Sequence, residues 1–170
     1  MVIFIGGIHG SGKGTLCKKI SSQTGIPHFT ASEVLKWSEV SPNLQNKNVV
    51  DIPETQNRLL LGLEKLKEKH QSYILDGHFC LFNKEGDVEK ISADVFEKIA
   101  PNFIVFVSAN SYDITSRLKA RDNVKYSEVI LKQMQKIEQE YSKQVAQQID
   151  IPYFQVIDEN LIELLTAITK

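Results

Sequence analysis

One short stretch constrains the folding of this chain more than any other: Gly7-Ile8-His9-Gly10-Ser11-Gly12-Lys13-Gly14-Thr15. It follows the apolar run Val2 to Ile5 and opens the segment Lys13 to Gln23, which reads as a helix. Strand, glycine-rich turn and helix in that order are the context a P-loop requires. The glycines let the backbone curl so that successive N–H groups converge on phosphate oxygens. The helix N-terminus adds its positive end, and Lys13 reaches the β and γ phosphates. A glycine-rich turn with a chance lysine is the bland alternative, and the register of strand, spacing and helix speaks against it. Gly7, His9, Gly10, Ser11, Gly12, Lys13, Gly14 and Thr15 are therefore the candidate ATP-binding residues.

Further apolar runs of strand length lie at Tyr73 to Leu75, Phe103 to Val107 and Tyr153 to Ile157, with a weaker one at Pro27 to Thr30. Continuous apolar runs rich in β-branched and aromatic residues predict strands buried on both faces, as in a parallel sheet. Segments of helical length separate them. Pro53 to Lys69 places Leu59, Leu60, Leu63 and Leu66 at helical spacing. Ala93 to Ala100 stops at Pro101, and Tyr112 to Arg121, Ser127 to Gln148 and Asn160 to Ile168 follow. The alternation predicts one α/β domain over residues 1–170, a five-stranded, mostly parallel sheet flanked by helices with right-handed crossovers. Asn83-Lys84-Glu85-Gly86-Asp87 reads as the turn of a hairpin over about residues 79–91, protruding from the sheet as a wall for a second substrate. Gly25-Ile26-Pro27-His28-Phe29 and Asp150-Ile151-Pro152-Tyr153-Phe154 look alike, and both hand a helix over to a strand, so they are shared connector chemistry and not a repeat.

Charge and cysteine usage narrow the function classes. Twenty Lys and Arg against 21 Asp and Glu leave a formal charge of −1, without the basic excess that holds nucleic acid non-specifically. Cys17 and Cys80 stand far apart, so neither a disulfide framework nor a zinc site of the usual spacing is expected, and a reducing compartment fits. Met1 to Ile5 lacks the basic flank and length of a signal peptide, and no run approaches the roughly 18 apolar residues of a membrane helix. A cytosolic protein without a membrane partner is expected.

The residue after Lys13 is Gly14, where the general motif has a Ser or Thr ligating magnesium; Thr15 supplies a hydroxyl one place later. Gly-Lys-Gly-Thr is the form seen in adenylate kinases, and here the sequence resembles the P-loop nucleoside monophosphate kinase family. The resemblance implies the P-loop NTPase fold of nucleotide kinases, with ATP and Mg2+ as cofactors and the magnesium held largely through waters. Tyr73-Ile74-Leu75-Asp76-Gly77 resembles the Leu-Asp-Gly segment of the same enzymes, where Asp76 would hold those waters opposite Thr15. An Asp at a strand end is by itself ordinary turn chemistry. The family's following Phe-Pro-Arg is replaced by His78-Phe79, so an arginine expected on the acceptor phosphate is missing.

Arg117-Leu118-Lys119-Ala120-Arg121 is similar to the Arg-x-x-x-Arg entering the lid of nucleotide kinases, the first arginine packing on adenine and the second touching phosphates. A spacing of four puts both on one helix face. A solvated basic face is the alternative, but two of the chain's three arginines fall here. Phe29 to Lys36 occupies the slot of the family's monophosphate-receiving segment, where Thr30, Ser32 and Lys36 would do similar work; Ser32-Glu33 is equally a helix N-cap. Ile52-Pro53-Glu54-Thr55-Gln56-Asn57-Arg58 looks like a helix opening of archaeal-type adenylate kinases, with Arg58 facing the acceptor or lying on the surface. The acceptor side thus covers about residues 30–70. The brief run from about 121 to 127 makes the short-lidded enzymes, archaeal and nuclear, the better match.

His9 is either a tolerated loop side chain or a γ-phosphate sensor, and His78 points toward the same cleft, able to orient an acceptor or a water. Asn160 borders the adenine by position, or caps the last helix. Trp37 and Cys17 are assigned to packing. The function expected is ATP-dependent phosphoryl transfer, adenylate kinase-like, to a nucleoside monophosphate, with Lys13, Arg117, Arg121 and Asp76 as the catalytic set and Thr15 with Asp76 on the metal. The alternatives are an ATPase switch acting on a protein or RNA partner and, third, a small-metabolite kinase with Glu33 as its base; a nucleotide sensor ranks last.

Overall fold

The computed structural model describes residues 1–36, 48–49, 51–122, 127–157 and 161–169, and of residues 48, 49, 121 and 122 the backbone alone. Trp37, the short lid beyond Asp122, Asn160 and the side chain of Arg121 lie outside the described residues.

Buried apolar strands build the centre. β1 (Val2–Gly6) is buried along its whole length and pairs in parallel with β4 (Tyr73–Asp76) on one side and β7 (Phe103–Ser108) on the other. β2 (His28–Thr30) adds beyond β4 and β8 (Tyr153–Ile157) beyond β7, giving the order β2-β4-β1-β7-β8. Every pairing in this five-stranded sheet is parallel.

Alternation along each strand sends side chains to two helical layers. Phe4, Leu75, Ile104 and Phe106 pack against α3 (Ile52–Lys69), α4 (Ala93–Ile99) and α6 (Glu128–Gln148) through Leu59, Leu63, Val95, Phe96, Val145 and Ala146. Ile3, Ile5, Ile74, Val105 and Val107 face α1 (Lys13–Thr24) and α7 (Ile162–Ile168) through Leu16, Cys17, Ile20 and Leu164. Among the described residues no helix is long and apolar enough to cross a membrane.

The expected hairpin is present as β5 (Cys80–Asn83) and β6 (Val88–Lys90), antiparallel, with Asn83 Oδ1 accepting from the Glu85 and Asp87 amides and Gly86 at φ 87°. It belongs to a second sheet, in which the two-residue β3 (Asn48–Val49) lies parallel to β5. Two residues are too short to carry a hydrophobic pattern, so β3 left no mark in the sequence. Several helix ends shift by a residue or two from the expected bounds: α1 runs on to Thr24, α3 starts at Ile52, the helix expected over Tyr112 to Arg121 spans Ser111–Asp122, and α6 starts at Glu128. The last helix begins at Ile162 and not Asn160, and Ala93 to Ala100 stops at Ile99, where Ala100 turns left-handed at φ 53°. Arg117 and Arg121 belong to α5 (Ser111–Asp122).

Candidate active site

The parallel register brings three strand ends together. Ile5 pairs with Asp76, and Asp76 with Thr30, so the P-loop after β1, the acid ending β4 and the turn after β2 emerge side by side. Open α/β sheets bind ligands at this edge. Buried Ile8 anchors the loop against Ile114 and Leu118 of α5 and Leu131 and Met134 of α6. Gly10, at φ 81°, passes so close that a Cβ there would lie 3.0 Å from Leu118 Cγ.

Lys13 is buried at 8% exposure, its Nζ donating to the carbonyls of Gly7 (2.8 Å) and Ile8 (3.2 Å) and lying 4.0 Å from Asp76 Oδ1. Asp76 Oδ2 is 3.9 Å from His28 Nε2. Burial pushes the Asp76 carboxyl above its ordinary range, while the positive charge of Lys13 pulls it back. Arg117 Nη1 donates to the Gly10 carbonyl at 3.2 Å, so its guanidinium reaches across to the loop from α5. Ser11 is buried in the loop. Thr15, exposed on the first turn of α1, faces the cleft.

The cleft measures about 680 Å³ and runs from this loop past Thr30 and Ser32. Gln56, Leu59, Leu81 and Phe96 line it as well, so the hairpin strand β5 does contribute through Leu81. His9, Asp76, His78 and Arg117 line it too. Four expected positions, Ser32, Glu33, Arg58 and Lys36, have other surroundings. Thr30, not Ser32, is the N-cap of the short helix α2 (Ala31–Val34): its Oγ1 accepts from the Glu33 amide while Glu33 Oε2 accepts from the Thr30 amide. Those bonds hold the Glu33 carboxyl below its ordinary range and occupy it as a cap, which removes the reason for reading it as a base. Arg58 Nε points to the Leu35 carbonyl at 3.5 Å, and Lys36 turns left-handed at φ 57°; neither is among the residues lining the cleft.

Glu138 is the functional candidate that sequence reasoning missed. It is fully buried on α6, its Oε1 accepting from the amides of Phe79 (2.8 Å) and Cys80 (3.2 Å) and lying 3.5 Å from His78 Nδ1. Its Oε2 has no hydrogen-bond partner. Burial raises its pKa to about 7, against the lowering effect of the Lys13 charge and of the two amides. His78 in turn packs on His9, ring centroids 4.2 Å apart. A signal was available: Leu131, Met134, Glu138, Ser142 and Val145 form the buried stripe of α6, and an acid there breaks the apolar period.

Thr15 and Asp76 offer oxygen donors beside Lys13, which suits a hard cation such as magnesium. A second trio, Cys17, His28 and Asp76, brings its ligand atoms within 4.8 Å of one another, though burial pushes the Cys17 thiol far up and keeps it protonated.

Comparison with known proteins finds kinases among the relatives of this chain. UMP-CMP kinase 3 of Oryza sativa subsp. japonica is 24% identical over 129 residues, covering 71% of this chain and 59% of that protein. Adenylate kinase isoenzyme 5 of Mus musculus is 33% identical over 129 residues, 71% of this chain and 22% of its own length. The chain thus spans less than two thirds of these relatives. Among solved structures, shikimate kinase from Acinetobacter baumannii in complex with shikimate superposes with a TM-score of 0.61 at 15% identity, covering 99% of this chain and 90% of that one. Shikimate kinase from Aquifex aeolicus gives 0.55 at 16% identity, covering 99% and 94%. These likenesses establish the P-loop kinase fold. Residues 6–135, a span that holds the P-loop, Asp76 and Arg117, match the family model AAA_17, described as an AAA domain, and the chain belongs to that family.

Proposed function

We propose that this protein is an ATP-dependent phosphotransferase. The observation that carries the reading is the convergence of Lys13, Asp76 and Arg117 on one P-loop, at the mouth of a cleft that continues past Thr30 and Ser32. Phosphoryl transfer asks for positioning and charge neutralisation more than for covalent chemistry, and these side chains supply both. Lys13, resting on two loop carbonyls, would exchange them for phosphate oxygens; Arg117 would add a planar fork from α5. Arg121, one helical turn on, is proposed to reach the phosphates, and Asn160 to border the adenine. Bound magnesium, held at Thr15 and through waters at Asp76, would neutralise phosphate charge.

A nucleoside monophosphate is the acceptor that the relatives support, since those named are UMP-CMP and adenylate kinases. The brief run between Arg121 and Ser127 supports the short-lidded kind, and the absence of a disulfide framework supports a cytoplasmic setting. The assay is ADP formation from ATP and magnesium with and without AMP, GMP, CMP and UMP, with Lys13→Met as blank. Loss of Lys13 lowers turnover by roughly 100-fold, about 2.7 kcal/mol of barrier. Undiminished turnover in Lys13→Met overturns the reading, and equal ADP and phosphate without acceptor favours the ATPase switch. A hydroxyl-bearing acceptor is the second reading, favoured by the contact between His78 and Glu138.

A further inference from the structure

We propose that His78 is the proton acceptor for a second substrate that attacks through a hydroxyl group, with the buried carboxylate of Glu138 as its positioning residue. This rests on the phosphotransferase reading above and names the acceptor class for the same site.

The first support is placement. His78 directly follows the Asp76-Gly77 turn and lines the cleft within reach of the P-loop, where His9 packs on its ring. Its Nδ1 edge is turned inward, 3.5 Å from Glu138 Oε1, which leaves Nε2 on the opposite edge of the ring. The two atoms do not hydrogen-bond at this separation, but a carboxylate on the Nδ1 side favours a proton on Nδ1, the tautomer in which Nε2 is the basic nitrogen.

The second support is what Glu138 costs. A fully buried carboxyl with one oxygen unpartnered is an unfavourable group for an amphipathic helix to carry in its core stripe. Two backbone amides could be satisfied by a neutral amide side chain. A carboxylate adds negative charge behind His78, which becomes useful when the imidazole takes up a proton.

The third support is the chemistry of the nucleophile. A phosphate monoester has its second pKa at about 6 and attacks at neutral pH through an oxygen that carries no proton, so it needs no base. A hydroxyl must lose its proton as it attacks. Among the described residues lining the cleft, the cationic side chains Lys13, Lys18 and Arg117 come from α1 and α5, whereas α3 and α4 contribute Thr55, Gln56, Leu59 and Phe96. Those α3 and α4 side chains suit a neutral, partly apolar body bearing a hydroxyl.

In the proposed step the hydroxyl oxygen attacks the γ-phosphorus of the nucleoside triphosphate in line. The bond to the β,γ-bridging oxygen breaks, and its electron pair departs with the diphosphate. The hydroxyl proton passes to His78 Nε2, and the imidazolium, with Nδ1–H facing Glu138, later yields that proton to solvent.

Two measurements test this. Nitrogen-15 NMR of histidine-labelled wild-type protein, with His78 assigned by its loss in His78→Asn, should show the neutral ring protonated on Nδ1; protonation on Nε2 overturns the proposal. This readout needs neither turnover nor a stable Glu138 variant. Turnover of ATP is then measured with water, uridine, cytidine, adenosine and shikimate as hydroxyl probes and with UMP, CMP and AMP as phosphate probes. The expected result is cleavage with a hydroxyl probe that falls roughly 100-fold in His78→Asn and roughly 10-fold in Glu138→Gln, with KM for ATP held within about two-fold. Phosphorylation of a monophosphate at equal rates in wild type and His78→Asn overturns the proposal and leaves the phosphotransferase standing. No cleavage above the Lys13→Met blank with any nucleophile overturns both.

Discussion

A P-loop lysine and a buried glutamate illustrate how differently single residues announce themselves. Lys13 was legible because its role depends on local spacing: the glycines around it, the strand before and the helix after are all neighbours in the chain. Asp76 and Arg117 were legible by resemblance, and the fold brings both to the loop. Glu138 was not legible, because the partners that define it, His78, Phe79 and Cys80, sit about sixty residues upstream. Its burial has a consequence for stability. The carboxyl titrates near 7 in the folded chain against an ordinary 4.5, so between those values the folded state keeps a proton that the unfolded chain releases. Its favourable contribution is complete below about pH 4.5 and is lost as pH rises through about 7. Glu138→Gln keeps an acceptor for the two amides and cannot ionise. Its stability relative to wild type is therefore expected to improve by roughly 1–3 kcal/mol between about pH 5 and about pH 8. Urea denaturation of both proteins at the two pH values measures this, and a pH-independent difference contradicts it.

Helices and strands followed from periodicity wherever they were long enough to show one. The leucine rows of α3 and the apolar runs of β1, β7 and β8 lie where the pattern put them. The element contacts did not follow from pattern. Gly62, in the middle of α3, faces the end of α2 so closely that a Cβ would come 2.4 Å from the Val34 carbonyl oxygen. On propensity alone Gly62→Ala would stabilise a helix by about 1 kcal/mol. The clash is with backbone, which cannot swing aside, so the substitution is expected to destabilise by roughly 1–3 kcal/mol. Urea midpoints decide the sign, and a more stable variant would mean that α2 yields freely. The capping box shows the same limit. Thr30 and Glu33 carry the spacing of one, yet which residue caps depended on where β2 ends.

At the scale of the molecule, the site is an edge shared by three strands and a loop clamped by α5 and α6, so nucleotide binding should stabilise the whole fold. With ATP and magnesium at about 100 times Kd the gain is roughly 2.7 kcal/mol, seen as a rise in Tm that Lys13→Met lacks. A Tm unmoved by ATP in the wild type would contradict nucleotide binding at this loop. The amino-acid sequence by itself determined the layered α/β class, the phosphate-binding loop and the lysine within it. Each of these is encoded in local spacing: a period of two or 3.6, or a run of glycines between a strand and a helix. Only the tertiary structure decided which distant side chains share the cleft. It turned Arg58 toward the Leu35 carbonyl and Glu33 to a cap, and it set Glu138 behind His78. The physical reason is that burial and charge pairing are set by neighbours in space, and a buried acid on α6 can find its partners after β4 only once the sheet has closed its register.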